Sequence, residues 1–235
     1  MECKTSIKHY WDSNVDVHDR LFSFFPHEEI SWSEFLTGKL NTCQKILEMG
    51  CGTGNLTSIL IKAGYDVTAV DISPHMLDKL SFKEGCNTLL GDAEDPPFKA
   101  GSFDAIICRN LLCTLPQPHK TLHEWFRLLK RGGKLIIIDK LDTGMAIRER
   151  LGSFLTLMVE GQNLWRLGYK KDTASHIPFH RGFKPHALKS LVMNSGFEDV
   201  GVDKMEDVNS ARRMNIPFYY NLLQEENFCV TAQKL

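Results

Sequence analysis

The sequence predicts an α/β domain, with a seven-stranded, mostly parallel sheet, helices on both faces and the last strand antiparallel. Three observations predict it. Between residues 45 and 140, short apolar runs alternate with helical patterns, as parallel strands joined by crossover helices require. A glycine-rich turn, Gly50-Cys51-Gly52-Thr53-Gly54, follows the first of those runs. At 235 residues, 43% hydrophobic and 24% charged, the chain is long and apolar enough to bury one full core without staples.

Residues 5–40 read as helices carrying Trp11, Leu21, Phe22, Phe24, Phe25, Ile30, Trp32, Phe35 and Leu36. Lys45–Met49 is a short strand running into the glycines, and Leu56–Ala63 is a helix stopped at Gly64. Val67–Val70 is the second strand and ends at Asp71. Ser73 then caps a helix with Pro74 in its first turn, continuing through Met76–Leu80. Thr88–Leu90, Phe103–Cys108 and Lys134–Asp139 are the next strands, and Pro118–Lys130 is a helix ended by Gly132-Gly133. The alternation lapses over residues 140–185, which read as helical and loop cover. Pro185–Asn194 is a helix closed by Gly196, and Phe197–Lys204 and Asn227–Lys234 are the final strands. They are sequential enough to pair antiparallel, with a long connection between them. With no repeat, low-complexity tract or linker to split it, the chain reads as one domain.

Composition excludes several function classes. Lys and Arg total 28 against 29 Asp and Glu, a balance that argues against a nucleic-acid partner. The seven cysteines form no C-x-x-C pair, so structural zinc and a disulfide framework fit poorly and reduced thiols fit well. The first residues lack a secretory pattern, and no apolar run reaches membrane-spanning length. The expectation is a cytoplasmic protein with no membrane partner.

Glycines after a buried strand let the backbone turn sharply and approach a ligand without Cβ interference. Dinucleotide sites space them G-x-G-x-x-G, whereas here the spacing is G-x-G-x-G, with Asn55 where the third glycine would stand. Glu48 precedes them, a poor neighbour for pyrophosphate and a good one for a cation. S-adenosylmethionine carries both an ammonium and a sulfonium, so that cofactor matches the acid. Asp71, nineteen residues beyond Gly52, stands where a carboxylate can accept ribose hydroxyls. Asp92, in Gly91-Asp92-Ala93-Glu94, ends the third strand beside apolar Ile72 and Met76 and is placed to meet the adenine amino group.

These residues resemble the class I S-adenosylmethionine-dependent methyltransferases, especially the type 11 group that includes ubiquinone and menaquinone biosynthesis enzymes. The resemblance runs through Leu47–Gly54, Val70–Met76, Gly91–Asp95, Gly101–Asp104 and Leu128–Leu135, and fades after residue 140. It implies a Rossmann-like sheet and cofactor roles for Gly50, Gly52, Asp71, Asp92 and Ala93, with Cys51, Gly54 and Glu94 in the same motifs. It also implies that Asn110 and Leu111 line the pocket beside the methionine part, and that Tyr10 and Trp11 close over the cofactor. Residues 1–40 would then be N-terminal helical cover, 41–140 the cofactor-binding core, 141–185 the acceptor-site cover, and 186–235 the C-terminal helix and final strand pair. Asp95-Pro96-Pro97-Phe98 spells the amine-binding motif of amino-methyltransferases but follows the third strand rather than the fourth, so it reads as an ordinary loop.

The activity so implied is methyl transfer to a small organic acceptor by in-line displacement, with S-adenosylhomocysteine as product. An RNA or protein acceptor, or a regulatory protein that binds the cofactor without turnover, stand as alternatives. A base is needed only if the acceptor loses a proton, and His176 and His180 in the cover segment are the candidates. Their spacing also invites a metal reading with His186, but Pro178 between them and the lack of a nearby acid argue against one. Arg109 is placed either to hold an acceptor carboxylate or to pair with an acid at the sheet's rim. Cys108 and Cys113 read as small core residues. Phe154, Leu155, Leu157, Met158, Trp165 and Tyr169 suit an apolar lid and core packing equally. Pro217-Phe218-Tyr219-Tyr220 offers either a homodimer contact or cover for the acceptor site.

Overall fold

Alternation along the strands builds this molecule from the sheet outward. The computed structural model describes residues 2–22, 26–80, 85–142, 158, 169–213 and 226–235. Its strands are β1 (Lys45–Met49), β2 (Asp66–Asp71), β3 (Asn87–Leu90), β4 (Phe103–Arg109), β5 (Leu129–Lys140), β6 (Glu198–Asp203) and β7 (Asn227–Gln233). They form one sheet in the order β3-β2-β1-β4-β5-β7-β6. Strands β1 to β5 pair parallel, and β7 runs antiparallel to both β5 and β6. This is the predicted Rossmann-like sheet, with its last strand antiparallel.

Because successive side chains point to opposite faces, the apolar runs feed two cores at once. Leu47, Met49, Ile106, Cys108, Leu135 and Ile137 pack on one face with residues of α6 (Pro118–Leu128) and α8 (Pro185–Asn194). Ile46, Ala105, Ile107, Ile136 and Ile138 pack on the other with α3 (Pro26–Leu40) and α4 (Asn55–Lys62). Each fully buried aliphatic side chain contributes about 1.5–3 kcal/mol, enough together to hold helices on both faces. The remaining helices are α1 (Glu2–Ser13), α2 (Val15–Phe22), α5 (Pro74–Leu80), α7 (Lys171–Ser175) and α9 (Glu206–Arg213), with a 3₁₀ turn at Leu112–Thr114. Ser73 caps α5 as its position predicts, its hydroxyl accepting the Met76 N–H at 3.2 Å.

The structure corrects two boundaries. The helix expected to run to Lys130 stops at Leu128, and Leu129 is already extended (φ −71°, ψ 142°). Pairing decides this: Leu129 is buried opposite Phe103 and opens β5. Gly132 and Gly133 therefore do not cap the helix. They lie in an irregularity of β5, where Gly132 takes φ +72° and donates to the Lys234 carbonyl. The second correction is α9, a helix inside the long connection before β7. Asp95–Phe98 is loop, secured by Arg127 donating to the Phe98 carbonyl at 3.0 Å.

Several expectations fall outside the described residues: the aromatics Phe24 and Phe25, the lid positions Phe154, Leu155, Leu157 and Trp165, and Pro217–Tyr220. The side chains of Leu21 and Phe22 lie outside them too. Met158 is exposed. Among the described residues, no helix is long and apolar enough to cross a membrane.

Candidate functional site

The order β3-β2-β1-β4-β5 reverses direction between β1 and β4, and ligands of open parallel sheets lie at the carboxyl ends of strands beside such a reversal. A cavity opens at that point here. Gly50, Cys51 and Gly52 leave β1 as its floor. Gly50 and Gly52 take φ +67° and +55°, where L side chains are strained. A Cβ on Gly50 would come within 2.8 Å of Leu111 Cδ1, and one on Gly52 within 3.2 Å of His18 Cε1. The Gly50 and Cys51 N–H groups both donate to the Val70 carbonyl, which ties the loop to β2.

Acidic residues stand along the cavity. Asp71, buried at the end of β2, accepts the Gly52 N–H at 2.8 Å and the Ser73 N–H at 2.9 Å. Burial raises its pKa above the ordinary carboxylate value, against the pull of the N–H groups of Ser73, Gly52 and Ile72. Each of its oxygens keeps a second lone pair for a donor in the cavity. Glu48, also buried, accepts the Thr57 hydroxyl at 2.6 Å. Beyond β3, Asp92 accepts the Glu94 N–H at 2.9 Å, and Glu94 accepts the Gln117 N–H at 2.7 Å. The Trp125 indole N–H donates to the Ala93 carbonyl at 2.9 Å and pins the loop from the α6 side. Lys4 of α1 ion-pairs with both Asp92 and Glu94.

The opposite rim is aromatic and cationic. Trp11 stands 5.6 Å from the His18 ring, centroid to centroid, and 5.1 Å from Tyr10, which in turn packs 4.5 Å from Tyr169. Burial, followed by the charge of Arg109, lowers the His18 pKa to about 4, so its imidazole is neutral at pH 7. Arg109 lies over the Trp32 ring at 5.0 Å. Burial and the charge of Arg212 lower its pKa to about 9, against the nearby Glu28 and Glu48. Asn110 follows in the left-handed region (φ +53°), its buried Oδ1 without a hydrogen-bond partner among the described residues. Backbone strain and an unsatisfied buried acceptor on one residue mark functional positions.

The residues expected at the cofactor largely converge on this one cavity. Trp11, Glu48, Gly50, Cys51 and Gly52 line it, as do Asp71, Ile72 and Met76 from β2 and α5. Asp92, Ala93 and Glu94 line its far end, and Asn110 and Leu111 close it beyond β4. Two do not line it. Tyr10 backs Trp11 instead, and Gly54 precedes α4 in a left-handed conformation.

The expected catalytic histidines are not brought to the cavity. His176 and His180 are exposed, with His176 Nδ1 2.8 Å from the Asp172 carbonyl and His180 Nδ1 3.1 Å from that of Ile177. With Pro178 between them the segment turns on itself, and each ring bonds its own loop. Sequence reasoning missed Lys4, Ile7, His18 and Thr114, all on the cavity wall. A signal for two of them was present: Lys4 and Ile7 lie seven and four residues before Trp11, hence on its face of one helix.

The donor set fits S-adenosylmethionine. The glycine floor would be filled by any Cβ, Asp71 offers the cavity a carboxylate of the kind a ribose diol needs, and the acid Glu48 suits an ammonium. Comparison with known proteins agrees. A family model described as "Methyltransferase domain" matches residues 47–137. An uncharacterised methyltransferase of Mycobacterium tuberculosis is 34% identical over 127 residues, 54% of this chain and 50% of that protein. This chain thus spans about half the length of the first curated relatives it matches. A ubiquinone biosynthesis O-methyltransferase of Xanthomonas axonopodis is 28% identical over 183 residues, 75% of this chain and 70% of that one. Among solved structures, a SAM-dependent methyltransferase of Thermotoga maritima aligns with a TM-score of 0.66 at 22% identity, covering 97% of this chain and 99% of the other. A Haemonchus contortus phosphoethanolamine N-methyltransferase, solved with S-adenosylhomocysteine, aligns with a TM-score of 0.65 at 17% identity, covering 95% of this chain and 58% of the other. Residues 47–137, from β1 and its glycine loop into β5, are thus similar to the methyltransferase domain family.

Proposed function

We propose that this chain is an S-adenosylmethionine-dependent methyltransferase that acts on a small organic acceptor. The observation that supports it most is the set of carboxylates, Glu48, Asp71 and Asp92, at the ends of β1, β2 and β3 around one glycine-floored cavity. When bound, S-adenosylmethionine supplies a methyl carbon activated by its sulfonium, and S-adenosylhomocysteine is the product.

The chain's own residues bind, orient and exclude water. Asp71 takes the ribose hydroxyls, Asp92 faces the adenine end between Ile72 and Met76, and Glu48 serves the ammonium. Trp11, Ile7, Leu111 and Leu115 form apolar walls, which keep water from a displacement that depends mainly on alignment. The acceptor approaches past Asn110, Leu111 and Thr114. Among the described cavity residues the histidine is His18, whose low pKa suits it to hydrogen bonding more than to proton abstraction at neutral pH.

Titration calorimetry with S-adenosylmethionine tests this reading on the native chain, Asp71→Ala and Gly52→Val. We expect micromolar binding that both substitutions weaken at least tenfold. No heat, and no thermal stabilisation by S-adenosylmethionine or S-adenosylhomocysteine, would sink it. Binding without methylated product across a panel of small acceptors would instead favour a regulatory protein.

A further inference from the structure

At the adenine end each oxygen of the two carboxylates already has a protein partner. Asp92 Oδ1 accepts the Glu94 N–H, and Glu94 Oε1 accepts the Gln117 N–H. The other two oxygens, Asp92 Oδ2 and Glu94 Oε2, share the ammonium of Lys4, which stands 2.6 Å from the second. Lys4 comes from α1, outside the matched family domain, and lies three residues before Ile7 on the same cavity wall. Its side chain is 33% exposed, whereas that of Glu94 is 0% exposed. The lysine therefore has room to shift off Asp92, while the buried Glu94 stays in place.

We infer that Lys4 is an internal competitor for the adenine subsite: its ammonium occupies the Asp92 carboxylate until a nucleoside amino group displaces it. This rests on the cofactor site proposed above. An adenine amino group must approach Asp92 from the cavity that Lys4 and Asp92 both line, so the Lys4 ammonium on Oδ2 stands in its way. On displacement Lys4 keeps Glu94, so that buried acid is never left without a counter-ion. The rest of the N-terminal cover need not move. Asp12 at the other end of α1 accepts the Ser73 hydroxyl at 2.6 Å and lies 3.4 Å from His75 Nδ1. Asp16 and Asp19 of α2 hold Lys79 of α5 at 2.7 and 3.7 Å. The helix is thus tied down at its far end, and the exchange is confined to its first turn.

The test uses the full-length chain and S-adenosylhomocysteine, whose amino-acid end is a net-neutral zwitterion, with 5′-methylthioadenosine as the nucleoside end alone. Lys4→Gln removes the charge and keeps a donor for Glu94. A competitor predicts that Lys4→Gln binds both compounds more tightly, by roughly three- to fivefold, the size of effect that a partly exposed ion pair supports. It also predicts that native association, followed by stopped-flow tryptophan fluorescence, accelerates as salt rises from about 20 to about 300 mM, and that Lys4→Gln loses this dependence. Should the variant unfold, the salt response of the native chain still decides the matter. Unchanged or weaker binding by a folded Lys4→Gln, or native association indifferent to salt, overturns the inference. Binding by neither chain removes the cofactor site itself, and the competitor with it.

Discussion

Gly50 and Asn110 follow β1 and β4 on either side of the reversal, and both hold positive φ angles, +67° and +53°. The glycine does so at no steric cost; the asparagine tolerates it less well, and its buried Oδ1 has no hydrogen-bond partner among the described residues. Gly50→Ala forces a Cβ to 2.8 Å from Leu111 Cδ1 in a conformation that L residues avoid. The flexible leucine tip can yield, but the backbone cannot. We expect a loss of about 1–2 kcal/mol in urea denaturation, together with weakened cofactor binding. An alanine variant as stable as the native chain would show that the loop relaxes freely. Gly50 was legible in the sequence because spacing alone demands a glycine. His18 was not, because a lone histidine in a helix carries no mark of what lies across from it.

The loop between β3 and β4 is governed by elements that pack against it rather than by its own residues. The Trp125 indole, fully buried on α6, holds the Ala93 carbonyl and thereby sets where Asp92 and Glu94 stand. Trp125→Phe keeps most of the apolar contact but orphans that carbonyl and leaves a gap, which should cost about 2–4 kcal/mol. Thermal melts should show the loss, and S-adenosylhomocysteine affinity should fall with it because the adenine end loosens. If affinity holds while stability drops, the loop is positioned from β3 alone. The helix α6 also shows how pairing overrides local signals. Its sequence continues helically toward Lys130, yet the buried pair Leu129 and Phe103 ends it early and gives Gly132 a bend in β5 instead of a cap.

At the scale of the whole molecule, two buried titrating groups oppose each other. Asp139, at the end of β5, accepts the Cys113 and Lys140 N–H groups at 3.0 and 2.8 Å, but burial pushes its pKa up to about 6. A carboxyl raised this way favours the fold at low pH and loses that contribution as pH climbs from about 4 through 6. His18, lowered to about 4, acts with the opposite sign: its contribution is complete above about 6.5 and fades as pH falls toward 4. The native chain should therefore show a shallow stability profile across this window. Asp139→Asn leaves the histidine unopposed, so its stability should gain on the native chain by about 3 kcal/mol between pH 4 and pH 7. Urea midpoints measured at half-unit steps would reveal it; parallel profiles would mean that Asp139 ionises freely in the fold.

The sequence by itself determined the sheet and the cofactor loop, since both rest on local regularities. Alternating apolar runs assign each strand two faces, and a glycine run after a buried strand permits one kind of turn, so β1 to β5 and the residues from Glu48 to Asp92 could be placed without coordinates. Only the tertiary structure decided what meets those residues from far along the chain. Lys4 on Asp92, eighty-eight positions away, is invisible to periodicity, because an ion pair across the fold depends on where a helix docks and not on any spacing within it. The same reason removed His176 and His180 from the site and brought His18 into it.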